Sequence, residues 1–359
     1  MSNRANVLLT RQAKLTKPTV VLFCGGGQDS HALLYQYYYD AAFRAIYVGD
    51  AHFLVVMSDT GDEHPDFYET TLPELRAFCA QVGIEFYFIT SDMGYHSHAW
   101  LSLMHQMKRN DTVMGVAFPK SCTDQLKVQV CYRFLSDWLR HAYGFTSKGY
   151  NTYYEYFAYY GKLVSWIGFA ADEQKRISAV ISECGAAEGG RPDEARRKRR
   201  TQKTTTVPEP ADWFVDLFGQ PVPKELTKKA NPVPVYRQRC VQHRYPLVDL
   251  GLNRTDCQRL INGYGHRVPF PTNCQRCPFQ GEAEIVYLYR TQPHVWAEWV
   301  EREAAKLLKN AHKPVNLGVK GRITLPQYLE KALKTYGHWT VEQLAEYRFS
   351  HGHCVMSKI

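Results

Sequence analysis

Cys24-Gly25-Gly26-Gly27-Gln28-Asp29-Ser30 is the stretch whose residue types most directly suggest chemistry. Consecutive glycines let backbone N–H groups approach an anion with no Cβ in the way. A helix starting just after them adds the positive end of its dipole. Asp29 and Ser30 suit helix capping as well as metal or phosphate contacts, so the same stretch also reads as a tight, capped strand-to-helix turn. It is not a Walker A loop, because no GK[ST] follows the glycines. Nor is it GxGxxG, whose third glycine would fall on Asp29 or Ser30. Two further polar groups follow apolar runs: Ser58-Asp59-Thr60-Gly61, and Asp172-Glu173-Gln174-Lys175-Arg176 after Ile167-Gly168-Phe169.

A second constellation is made of thiols. Cys240, Cys257, Cys274 and Cys277 are separated by 16, 16 and 2 residues. Cys274-Gln275-Arg276-Cys277 is one short chelating loop, and folding must bring in the other two. Four thiolates suit zinc or an iron–sulfur cluster, with His243 competing as a ligand. The bland alternative is four reduced cysteines in a small core. Cys24, Cys79, Cys122, Cys131, Cys184 and Cys354 show no such grouping and read as packing. Cys354, beside His351-Gly352-His353, is a weak candidate nucleophile.

The elements that must position these groups follow from the hydrophobic pattern. Thr19–Phe23, Phe53–Met57, Glu85–Ile89 and Leu163–Phe169 are short apolar runs suited to buried parallel strands. His31–Tyr39, Leu72–Val82 and Gln125–Ala142 have helical spacing. Alternation of the two predicts a doubly wound α/β domain over residues 15–182. The glycine loop and both polar groups would then lie at carboxyl ends of strands, where open α/β sheets bind ligands. Residues 183–232 change to Gly, Pro, Arg, Lys and Thr and read as a basic, flexible insertion or linker. Residues 233–359 read as a cysteine-rich module, irregular over Arg237–Phe279, with two closing helices at Glu282–Asn310 and Leu325–Tyr347. The aromatic run Tyr150–Tyr160 reads as core or interface.

Taken in order, these motifs resemble the PP-loop superfamily, the adenine-nucleotide α-hydrolase fold, whose signature is Ser-Gly-Gly-x-Asp-Ser. Gly26, Gly27, Asp29 and Ser30 match it, and Gly25 stands where that family has serine. Asp59-Thr60-Gly61 with Glu63 and Pro65 is similar to the second motif of the PAPS reductase branch. Ser121-Cys122-Thr123-Asp124-Gln125-Leu126-Lys127 is similar to its Cys-Thr-x-x-x-Lys helix start, and Asp172-Glu173 with Arg176 to its late phosphate-side motif. The likeness spans residues 19–180. It implies ATP or a related adenine nucleotide bound by Gly25, Gly26, Gly27, Asp29, Ser30, Asp59, Thr60, Gly61, Lys127, Asp172, Glu173 and Arg176. Asp29, Ser30, Lys127 and Arg176 would be the catalytic set, the two cations neutralising phosphate charge on the leaving group. Mg²⁺ is implied wherever pyrophosphate leaves. The run Tyr245-Pro246-Leu247 through Cys277-Pro278-Phe279 also looks like the C-terminal module of PAPS-reductase-like proteins from phage, plasmid and DNA-modification loci. Relatives there hold a 4Fe–4S cluster on cysteines. Three ligands would leave an iron open to carry sulfur, and four would close the cluster.

Composition bounds the rest. At 359 residues the chain is long enough for about two domains. Charged residues at 22% and apolar ones at 45% are ordinary globular values. No apolar run is long enough to span a bilayer. The N-terminal stretch lacks the apolar region of a secretory signal. Together with ten cysteines this predicts a reducing, cytoplasmic setting. Of the net +9, the segment Arg191–Lys203 alone carries +5. It is a solvated loop or a contact for nucleic-acid phosphates. Three functions stand as expectations. The first is an ATP-cleaving enzyme that activates a substrate for sulfur transfer to a nucleic acid, with a sulfur-donor protein as a possible partner. The second is a sulfonucleotide reductase, opposed by the absence of a terminal Glu-Cys-Gly-Leu-His. The third is a nucleotide-binding accessory protein without turnover.

Overall fold

The computed structural model describes residues 14–117, 121–173, 177 and 233–351. Its centre is a five-stranded sheet, parallel throughout, in the order β3-β2-β1-β4-β5. The strands are β1 (Thr19–Phe23), β2 (His52–Ser58), β3 (Glu85–Ile89), β4 (Leu163–Ile167) and β5 (Val241–Arg244). From β1 the chain builds outward through β2 to β3, then crosses to place β4 on the other side of β1. The boundary between β1 and β4 is therefore the switch point of the sheet.

Helices cover both faces. They are α1 (Gln28–Tyr39), α2 (Ala41–Tyr47), α3 (Leu72–Gln81), α4 (Leu103–Asn110), α5 (Gln129–Tyr143), α6 (Asn151–Tyr160), α7 (Val235–Cys240), α8 (Pro246–Asp249) and α9 (Arg254–Gly263). The chain closes with α10 (Glu282–Thr291), α11 (Pro293–Lys309), α12 (Leu325–Tyr336) and α13 (Val341–His351). Strand alternation divides the core. Val20, Leu22, Phe53, Val55 and Trp166 face α1, α3 and α9. Val21, Leu54, Val56 and Leu163 face α5, α6 and α7. A third core joins α4 to the closing helices through Leu103, Met107, Ile285, Trp299 and Leu329.

Four expected strands are present within two residues of their expected ends. β5 is an addition, and the region read as irregular also holds α7, α8 and α9. β5 is only four residues, Val-Gln-His-Arg, and one apolar residue gives no alternation to read. It lies at the sheet edge, hydrogen-bonded to β4 alone, where polar side chains are tolerated. β5 begins eight residues after residue 233 and completes the sheet, so the segment from 233 shares that sheet with the strands of residues 15–182. The two closing helices are four. Pro293 opens α11 as an N-terminal proline. Before α13, Thr340 and Gln343 exchange side-chain-to-backbone hydrogen bonds. The aromatic run is amphipathic: Tyr153 and Tyr156 are fully buried, while Tyr154, Phe157 and Tyr159 are exposed. Among the described residues no helix is long and apolar enough to cross a membrane.

Candidate functional site

A cavity of about 190 Å³ opens at the carboxyl ends of β1, β2 and β4, at the switch point. Its rim is the glycine loop. Gly26 has φ +73°, and a Cβ there would lie 2.7 Å from the Phe67 ring and 2.8 Å from the Met57 methyl. Only glycine fits both the left-handed backbone and the crowding. Gly25 is the opposite case: it lines the cavity and a Cβ would meet nothing within 4 Å. α1 begins directly behind, with Gly27 as its N-cap and no side-chain cap bond. Ser30 Oγ donates to the Gly27 carbonyl at 3.0 Å and so fixes the turn.

Two cations converge on the cavity, each held by carboxylates. Lys127 lies 3.3 Å from Glu63 and comes from a π-helical turn, Thr123–Val128, that leads into α5. Such widened turns re-aim side chains and recur at functional sites. Ser58 Oγ donates to the Leu126 carbonyl at 2.6 Å and ties that turn to the end of β2. The second cation is Arg254, at the start of α9. It lies 3.1 Å from Asp29 and 3.6 Å from Glu173. Burial raises the Asp29 carboxyl from its usual range, and Arg254 opposes that. Asp29 Oδ1 is buried with no hydrogen-bond partner.

Of the expected nucleotide set, Gly25, Gly27, Asp29, Ser30, Lys127 and Glu173 line the cavity. Gly26, Asp59, Thr60, Gly61 and Asp172 do not. Gly26 shapes the loop from behind, and the Asp59 carboxylate accepts from Gly61 N at 2.8 Å and from the Tyr68 hydroxyl at 2.7 Å. Arg176 lies outside the described residues, as do residues 191–203, Cys184 and Cys354. Arg254 and Thr272 are lining residues that sequence reasoning left out of the site. Arg254 sits in the Arg254-Thr255-Asp256-Cys257 run, but nothing in the sequence ties it to a residue 225 positions earlier. Cys24 and Cys131, read as packing, also line the cavity. Burial pushes the Cys131 thiol up to about 12, so both it and Cys24, shifted in the same direction, stay protonated at neutral pH.

The four thiols expected to share one centre are not brought together. Cys240 is buried among α5, α6 and α7 on one face of the sheet, and Cys257 under α9 on the other. Cys274 and Cys277 form a turn, Cys277 N donating to the Cys274 carbonyl at 3.0 Å. His243, the competing ligand, is on β5 with Nδ1 2.7 Å from Ser165 Oγ. Among the described residues no three metal-ligating side chains converge. This arrangement does not fit a shared zinc or 4Fe–4S site, because a different core fixes each end of the set.

Cys274 has another neighbourhood. Its thiol donates to Thr60 Oγ1 at 3.4 Å, Thr60 Oγ1 donates to Glu63 Oε1 at 3.0 Å, and the same Oε1 faces Lys127. The turn is pinned by Asp62, whose carbonyl accepts from Gln275 N at 2.7 Å and whose carboxylate pairs with the buried Arg276. A file of hydrogen-bonding groups thus runs from the CxxC turn to a cavity cation. Burial holds the Cys274 thiol well above the ordinary range, with the Glu63 charge acting the same way.

No protein-family model, no curated protein and no solved structure matches this chain. The functional reading therefore rests on the site itself.

Proposed function

We propose that the protein binds ATP or a related adenine nucleotide in this cavity and cleaves it between the α and β phosphates to activate a substrate. The observation that carries the reading is the convergence of an open glycine loop, an uncapped helix N-terminus, Lys127 and Arg254 on one cavity at the switch point. Loop N–H groups and the helix start would hold the phosphates. Lys127 and Arg254 would exchange part of their pairing with Glu63, Asp29 and Glu173 for phosphate oxygens and offset charge on the leaving pyrophosphate. Phe23, Val56, Val128, Tyr132, Ile167 and Phe169 give the cavity an apolar lining suited to a base.

The partnerless Asp29 oxygen fits a hard cation. Mg²⁺ generally takes one or two carboxylates and fills its shell with phosphates and water, so Asp29 and Glu173 are the side chains that would hold it. When bound it would supply charge neutralisation on the polyphosphate. The chain's own part is to keep Asp29 oriented, which Arg254 does, and to hold Lys127 on its π-helical turn.

Sulfur transfer is the further part of the proposal. Cys274 supports it as a thiol linked through Thr60 and Glu63 to the cavity edge. The same feature favours a second reading, reduction of a sulfonucleotide, marked by sulfite release in the presence of a thiol donor. A nucleic acid as acceptor rests on the basic segment 191–203 alone. Product identity tests the first reading. Incubation with ATP and candidate acceptors is expected to give AMP and pyrophosphate, with the yield lost in Asp29→Ala and Lys127→Ala. Full turnover by both variants, or release of ADP instead, contradicts it.

A further inference from the structure

α6 turns an aromatic face outward. Tyr150, its N-cap residue, and Tyr154 and Phe157 follow the i, i+4, i+7 spacing of one helical stripe. All three are exposed, at 40, 38 and 43%. Tyr153 and Tyr156 serve the core from the inner face of the same helix and are fully buried. Scattered exposed rings are ordinary, but three in a stripe make a patch. The Tyr150 ring is held in place, stacked on Tyr236 of α7 with centres 4.3 Å apart and planes 13° from parallel. Tyr236 meets Tyr132 edge-on at 6.0 Å, and Tyr132 lines the cavity. The stripe therefore begins two ring contacts from the cavity wall.

The charge around these rings is mostly of one sign. Lys148 and Lys162 bracket α6 along the chain, and both are exposed. Arg239, exposed on α7, lies close enough to Lys162 that both charges reach the Cys240 thiol. Between residues 144 and 162 the one carboxylate is Glu155. Its oxygens are engaged by Ser147 N at 2.8 Å and Thr146 N at 3.3 Å. Residues 233–244 hold three arginines and no carboxylate. A second protein would need only the rings, whereas cations beside stackable rings suit unpaired bases on a phosphate backbone. We propose that this face of α6 and α7 binds single-stranded nucleic acid. Bases stack on Tyr150, Tyr154 and Phe157, and Lys148, Lys162 and Arg239 take the phosphates. The inference rests on the reading of a nucleic acid as acceptor and names the surface that receives it. The basic run 191–203 lies outside the described residues and is no part of this surface.

The test is fluorescence anisotropy of a labelled oligothymidylate or oligouridylate, about 15 nucleotides long, titrated with the full chain. Wild type is expected to bind, and more weakly as salt rises. Tyr154→Ser combined with Phe157→Ser should weaken binding about tenfold or more. Lys162→Gln combined with Arg239→Gln should flatten the slope of log affinity against log salt by about 1.4, at about 0.7 per cation. All four side chains are exposed, so both double variants should keep the wild-type melting temperature. Wild-type binding that both double variants retain overturns this inference alone and leaves the acceptor reading on 191–203. No binding by wild type removes the acceptor reading and this inference together. Equally tight binding of a duplex of the same length overturns the stacking role. A wild-type dimer in sedimentation that Tyr154→Ser with Phe157→Ser makes monomeric assigns the stripe to a second copy and overturns the proposal. Oligonucleotide binding through the stripe, with no ATP binding by wild type, would sustain this inference while removing the nucleotide reading.

Discussion

Gly25 and Gly26 are neighbours with opposite requirements, and that contrast gives the sharpest residue-level predictions. At Gly26 a side chain meets a positive φ and two apolar groups under 3 Å away. Gly26→Ala should therefore cost about 2–4 kcal/mol in a urea melt, from left-handed strain plus overpacking. Gly25 has open space, so Gly25→Ser should change stability by no more than ~0.5 kcal/mol. Because the new hydroxyl would face the cavity, it should also tighten nucleotide binding, by up to about tenfold for one added hydrogen bond. Lys127→Ala should weaken ATP about 10- to 100-fold, the scale of a lost charge-assisted contact. Glycine spacing and the Asp29-Ser30 pair made the loop legible in the sequence. Arg254 and Thr272 were not, since their place in the site depends on tertiary folding that no local pattern encodes. The cysteines show the converse: regular spacing invited a common centre, but burial in separate cores governs where each thiol lies.

At the scale of elements, α1 couples the site to stability through His31. This side chain is 3% exposed, and its Nδ1 lies 2.9 Å from the Gly27 carbonyl at the end of the glycine loop. Burial lowers its pKa to about 4, with the Gly27 hydrogen bond opposing. Between pH 6.5 and 4 the unfolded chain takes up a proton that the folded chain refuses. The contribution is therefore full above pH 6.5 and falls as the pH drops toward 4. The loss should reach about 2–3 kcal/mol by pH 4.5. Burial also lowers the pKa of His64, His96 and His243. Urea melts at pH 7 and 4.5 should therefore show a loss in His31→Gln that is smaller than in wild type by about 2–3 kcal/mol, and an equal loss in both would remove His31 as a contributor. The long strands and helices were readable because their periodicities are strong. β5 and the π-helical turn carrying Lys127 were not, one being too short and polar, the other a local departure from a helical pattern.

Over the whole molecule, the sequence pattern reads three segments, 15–182, 183–232 and 233–359, and the structure joins the first and the last in one sheet. β5 completes the sheet, α9 packs on α1 and brings Arg254 to Asp29, and the Gln28 amide donates to the Pro269 and Phe349 carbonyls. Residues 15–182 expressed alone should consequently fail to melt cooperatively, since β4 would be left as an open edge and a cavity wall would be missing. A cooperative transition matching that of the full chain would contradict this. The α/β class was legible because alternating strand and helix patterns survive any later insertion. The partnership between distant segments was not, because the sharp change of composition over 183–232 separates the strands that the sheet pairs. The central claim is that an adenine nucleotide occupies the cavity at the β1–β4 switch point. Calorimetric titration of the full chain with ATP and Mg²⁺ tests it most directly. The account predicts one site per chain, strongly weakened in Asp29→Ala and Lys127→Ala. Absence of binding to wild type, or binding equal in all three proteins, would contradict it.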